Sequence, residues 1–129
     1  MGEQKLLENM KPWRAARSLT MTVYRVTEAA DFEEDSDLRR QMRRASAAMM
    51  SDVAELYEAP SRADSHRSIR NARSSVIRLQ SHLAIAADRY YIEPQTFEQL
   101  NHTAQELKEA IVEYFAKKGA RSEERDARP

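Results

Sequence analysis

At 129 residues the chain has room for one domain with a sizeable core and too little for two. Its 21 basic and 21 acidic side chains cancel, so no global charge draws it to nucleic acid or to an anionic membrane. It has no cysteine, which excludes disulfides, thiolate nucleophiles and zinc-thiolate sites, and no apolar run nears the roughly 20 residues that cross a bilayer.

Few glycines and prolines, with long stretches of Ala, Leu, Arg, Glu and Met, predict an all-helical chain. The opening MGEQKLLENMK has no apolar signal core, and Leu6 stands where a myristoylation motif needs Ser or Thr, so a soluble, cytoplasmic, bacterial-type protein is expected. Leu6, Leu7 and Met10 lead into Pro12, a residue suited to a first helical turn. Trp13, Ala16, Leu19, Val23 and Val26 then keep the helical period, which predicts a helix from about Pro12 to Ala30.

The acidic segment around Asp31, Glu33, Glu34 and Asp35 breaks that period, and Ser36 or Asp37 is placed to cap the next helix. That helix covers Leu38 to Tyr57 and ends near Glu58. Leu38, Met42, Ala45, Met49, Val53 and Leu56 form its core stripe. Ala59-Pro60-Ser61 reads as a turn, with Ser61 or Asp64 capping a third helix that runs to about Tyr91 on Ile69, Ala72, Val76, Leu79, Leu83 and Ala86. Pro94 restarts the chain. Phe97, Leu100, Ala104, Leu107, Ile111 and Tyr114 carry a fourth helix, with Gly119 placed as its stop.

Short connections place sequential helices antiparallel. The expected fold is therefore all-α: an antiparallel up-down-up-down four-helix bundle over 1–119, followed by a charged, disordered tail at 120–129.

Two basic groups are candidates for nucleic-acid backbone contact. Arg39, Arg40, Arg43 and Arg44 share an arc of about 140° on the second helix, enough to meet several phosphates. Arg67, Arg70 and Arg73, with His66, form a second group on the third helix. The competing reading is a solvated face whose arginines pair with the acidic segment and with Glu55 or Glu58. Antiparallel packing would hold the two groups apart in a monomer and allow them to merge only in an oligomer.

A second, weakly apolar stripe on the second helix, Met50, Ala54 and Tyr57, coincides with an uncharged one on the third, Ser74, Ile77, Ser81 and Ile85. Scattered apolar surface is ordinary, but two adjacent stripes predict a self-association surface.

Nothing in the sequence points to an enzyme. Gly2 and Gly119 cannot build a phosphate loop, no serine stands near a histidine in a nucleophile motif, and His66, His82 and His102 are too scattered for a metal site. Glu55 with Glu58 reads as a wet helix face, and Trp13, Tyr90 and Tyr91 read as packing residues before a base-stacking platform. No catalytic residue, metal, cofactor or small-molecule substrate is expected.

Several of these residues carry a resemblance. Trp13 and Ala16, Tyr24 and Thr27, the block Gln41-Met42-Arg43-Arg44-Ala45, then Ala54-Glu55, Ser61, Ala72, Ser75, Val76, Leu79 and Leu83 fall as they do in the 23S rRNA intervening sequence proteins, a four-helix-bundle family related in fold to the accessory proteins of diversity-generating retroelements. The resemblance covers about Leu7 to Ile92. This chain departs from the pattern at Met49-Met50-Ser51-Asp52-Val53-Ala54-Glu55-Leu56, which lacks the family's proline and so predicts an unkinked helix. It departs again at Ser65 and Ser68, at Ser74 in place of glycine, and at Arg78 in place of an acidic residue. The resemblance implies the bundle, a ring-like homo-oligomer, commonly a pentamer, and no catalytic residues. The functional expectation is a non-enzymatic, homo-oligomeric accessory scaffold that offers RNA or DNA backbone its arginines; the alternative is a protein interaction module that binds no nucleic acid.

Overall fold

The computed structural model describes residues 7–58 and 61–127, with side chains throughout except at 62, 115 and 117–127. Leu6 and the Ala59-Pro60 turn lie outside the described residues.

Helix α1 spans Lys11–Val26 with Pro12 in its first turn, where a missing N–H costs nothing. It stops four residues short of Ala30, and the wholly buried Thr27 stands at its end with its hydroxyl donating to the Val23 carbonyl at 2.7 Å. The acidic segment is more than a break. Ala30–Asp35 forms a 3-10 turn whose one aromatic side chain, Phe32, is fully buried, with its ring centroid 5.3 Å from that of Tyr91. One aromatic residue thus pins a segment of five other, largely solvated positions to the end of the bundle.

Helix α2 spans Ser36–Glu55, and its cap is Asp35 rather than Ser36 or Asp37. Asp35 Oδ1 accepts from the Leu38 amide at 3.0 Å, because Ser36 has already taken helical torsions. Helix α3, Arg62–Asp88, starts as expected on Ser61, whose Oγ accepts from the Asp64 amide at 3.1 Å while donating to Asp64 Oδ2 at 2.6 Å.

The end of α3 is earlier and more specific than the period suggests. The Tyr91 amide reaches back to the Ala86 carbonyl and the Tyr90 amide to that of Ala87, a Schellman closure that requires a left-handed residue at Tyr90. Tyr90 has φ 62° and is 84 % exposed. Helix α4 spans Pro94–Ala127 and passes straight through Gly119, which takes no left-handed cap; the backbone of the charged segment expected to be disordered is helical as far as Ala127.

Each helix packs on two others, α1 on α2 and α4, and α3 on α2 and α4, closing a four-helix bundle with no strand among the described residues. The core stripes are buried as their spacing requires. Met42, Met49 and Val53 of α2, Val76, Leu79 and Leu83 of α3, and Leu107 and Ile111 of α4 are wholly inaccessible, each contributing about 1.5–3 kcal/mol of burial. Ile69, Val26, Phe97 and Tyr114 pack on that core from its edge. Polar links also tie neighbouring helices: Thr20 Oγ1 donates to the Ser46 carbonyl at 3.1 Å, Ser75 Oγ to the Asp52 carboxylate, and Gln80 Nε2 to Asn101 Oδ1 at 3.0 Å.

Candidate functional site

The first turns of α2 bring Arg39, Arg40, Arg43 and Arg44 to one open depression of about 490 Å³, completed by Ser36 and by Tyr24 of α1. The four are not equivalent. Arg43 is half-buried: its Nε donates to Thr27 Oγ1 at 2.9 Å, a terminal nitrogen donates to the Tyr24 carbonyl at 3.3 Å, and the guanidinium carbon lies 5.0 Å from the centre of the Tyr24 ring. Arg40 pairs with Asp37, which also accepts from Gln41 Nε2 at 2.7 Å. Neither Arg39 nor Arg44 has an ion pair among the described residues.

The solvated-face reading is thus realised in part, through Asp37 and not through Glu55 or Glu58, both of which are exposed. Such exposed pairs contribute about 0–1 kcal/mol.

Arg67, Arg70 and Arg73 are exposed along the first half of α3, with Arg67 3.9 Å from Asp64. None of them lines the α1–α2 depression. The two basic groups therefore stand on different helices with separate local partners.

The two apolar stripes also differ from each other. Met50 and Ala54 of α2, and Tyr57 in the turn that follows it, are half-buried against their own core. Tyr57 meets Tyr114 edge-on with ring centroids 4.8 Å apart. Burial pushes its phenol well above the usual tyrosine value, against the opposing pull of the Trp13 backbone. The hydroxyl is turned toward Trp13 without a partner in hydrogen-bond geometry among the described residues. Tyr57 and Ala54, with Leu7, Met10 and Tyr114, line a cleft of about 430 Å³ edged by Glu55 and Glu58.

On α3, by contrast, Ser74, Ile77, Ser81 and Ile85 are all exposed, Ile77 at 47 % and Ile85 at 46 %. At about 100° per residue Arg70 falls in line with them, so the basic group on α3 and the uncharged strip are successive parts of one face.

Sequence reasoning missed what Tyr24 and Thr27 do for Arg43. The usable signal was their position, two polar-capable side chains three residues apart at the end of α1, facing the start of α2. Of the histidines, His102 lies 3.1 Å from Glu106, and His82 has its pKa pushed below the ordinary value by burial first and by Arg78 second. Among the described residues no three His, Asp or Glu side chains converge as metal ligands, and no helix is long and apolar enough to cross a membrane.

No curated protein matches the chain. The sequence profile of the 23S rRNA-intervening sequence proteins matches residues 8–113, which carries the likeness beyond Ile92 into α4. With a match over that length and four packed helices beneath it, the chain belongs to the 23S rRNA-intervening sequence protein family.

Proposed function

We propose that this protein is a non-enzymatic scaffold, an antiparallel up-down-up-down bundle that associates with copies of itself and offers its arginines to RNA or DNA backbone. The antiparallel order is supported by the α1–α2 register: Thr20 meets Ser46, and Thr27, just past the end of α1, meets Arg43, earlier on α2. The observation that carries the assembly is the exposed, uncharged strip Ser74, Ile77, Ser81 and Ile85, in which two isoleucines stand half in water where a solvated helix face would carry charge. A closed ring buries such a strip in every copy, and five copies is the number the family resemblance implies. Light scattering on the purified chain tests it; a monomer at all concentrations refutes it.

The nucleic-acid part of the proposal has a direct test. Affinity for a single-stranded RNA should fall linearly with salt on logarithmic axes, with a shallower slope after charge reversal of Arg40 and Arg43. No binding at low salt refutes it. In that case the second reading holds, a cytoplasmic protein interaction module without nucleic acid, which is favoured by the neutral net charge and by the local pairing of Arg40 with Asp37 and Arg67 with Asp64.

A further inference from the structure

The α1–α2 depression differs from a merely charged surface because one of its arginines is fixed before any ligand arrives. Arg43 uses its Nε and one terminal N–H on Thr27 and on the Tyr24 carbonyl and lies over the Tyr24 ring, which leaves three of the five N–H donors of a guanidinium. The side-chain entropy that a free arginine loses on gripping an anion has already been lost in folding. Around it, Arg39 and Arg44 have no ion pair among the described residues, and Ser36 supplies a hydroxyl at the rim.

Asp37 holds Arg40 and cancels its charge locally. Three arginines therefore act together at one open depression, an arrangement matched to a tetrahedral phosphate with several acceptor oxygens more than to chloride or a single carboxylate.

We propose that this depression is a discrete receptor for one phosphate group, with Arg43 as the fixed donor, Arg39 and Arg44 closing on the anion, and Thr27 and Tyr24 as positioning residues. The inference rests on the reading of the α2 arginines as phosphate contacts and goes beyond it, because it assigns a saturable site where that reading needs only a diffuse surface. The phosphate has two sources, free inorganic phosphate or a phosphodiester of a nucleic acid.

Calorimetric titration of the full chain with inorganic phosphate at low, constant chloride is the first arm, and anisotropy with a labelled oligothymidylate of about 12 nucleotides is the second. Saturable uptake of one phosphate per chain is expected. It should weaken by about ten-fold or more in R39Q/R44Q and in R43K, since a charged hydrogen bond is lost in each, and stay unchanged in R67Q/R70Q/R73Q. Should R43K fail to fold, R39Q/R44Q keeps the test, because Arg44 is exposed and Arg39 is at the rim.

Thr27→Val should lower phosphate affinity with every charge retained, and Thr27→Ser should restore it, a rescue that loss of packing alone would not show. Uptake without saturation, or affinity unchanged in R39Q/R44Q, overturns the receptor. Phosphate uptake without oligothymidylate binding upholds the receptor and removes the nucleic-acid function. Oligothymidylate binding that depends only on Arg67, Arg70 and Arg73, with no phosphate uptake, does the reverse.

Discussion

Ser75 of α3 donates its hydroxyl to the Asp52 carboxylate of α2, and the serine is almost wholly buried while the aspartate is half-buried. A charged acceptor with a single interhelical donor is sensitive to loss of that donor. Ser75→Ala should cost about 1–3 kcal/mol in urea denaturation. Asp52→Asn should cost less, because the amide oxygen still accepts. A double-mutant cycle with Asp52→Ala should return a coupling of about 0.5–3 kcal/mol, as residues in direct contact do.

Tyr90 closes α3 at φ 62°, a region that favours glycine, while its side chain is 84 % exposed and contributes little burial. Left-handed backbone costs a residue with a Cβ about 1–2 kcal/mol, and glycine's extra freedom in the unfolded chain gives back about 0.5–1 kcal/mol of that. Tyr90→Gly should therefore raise the thermal midpoint modestly, and Tyr90→Val, β-branched in the same conformation, should lower it.

The same closure shows how far the sequence could be read. Apolar periodicity marked the core faces of all four helices because burial depends only on which side of a helix a residue occupies, and Leu79 or Met49 is buried for that reason alone. Two helix boundaries depended on local hydrogen bonds that periodicity does not encode: the Leu38 amide on Asp35 at the start of α2, and the Tyr90 and Tyr91 amides on Ala87 and Ala86 at the end of α3. The arginine cluster was legible as charge on an arc. Its inequality was not, since Arg43 is fixed by side chains from α1, a tertiary fact, while Arg40 is held by a residue three positions away.

Phe32 is the plainest residue that reading undervalued. It is fully buried in a segment otherwise made of exposed or half-buried positions and stacks at a tilt on Tyr91. Phe32→Ala should cost about 3–5 kcal/mol and release Ala30–Asp35, visible as faster amide exchange at Leu38, whose N–H is capped by Asp35. Phe32→Leu, which refills most of the space, should recover the larger part of both.

His82 supplies a pH dependence. Burial and the nearby Arg78 hold its pKa below the ordinary 6.5, so the unfolded chain takes up a proton there at a pH where the folded chain does not. Stability from this group is therefore complete above about pH 6.5 and declines as pH falls through and below that value. His82→Gln should flatten the decline. Arg78→Glu, which replaces a repelling charge with an attracting one, should raise the His82 pKa, as followed by its imidazole resonances.

The two apolar stripes make opposite predictions under the same substitution. Ile77 is 47 % exposed, so Ile77→Glu removes little from the fold of one chain. If α3 faces another copy, a carboxylate placed in the middle of that contact must be desolvated without a partner, a penalty large enough to dissociate an assembly held by small residues. Met50 is half-buried against its own core, and Met50→Glu should lower the stability of the chain itself, by about 1–3 kcal/mol. Thermal unfolding and light scattering on both variants separate the two cases. Ile77→Glu should change mass and leave the monomer's cooperative unfolding intact, while Met50→Glu should shift unfolding first. Loss of mass in Met50→Glu with an unchanged thermal midpoint would place the α2 stripe between subunits as well, and an unchanged mass in Ile77→Glu would remove α3 from the assembly.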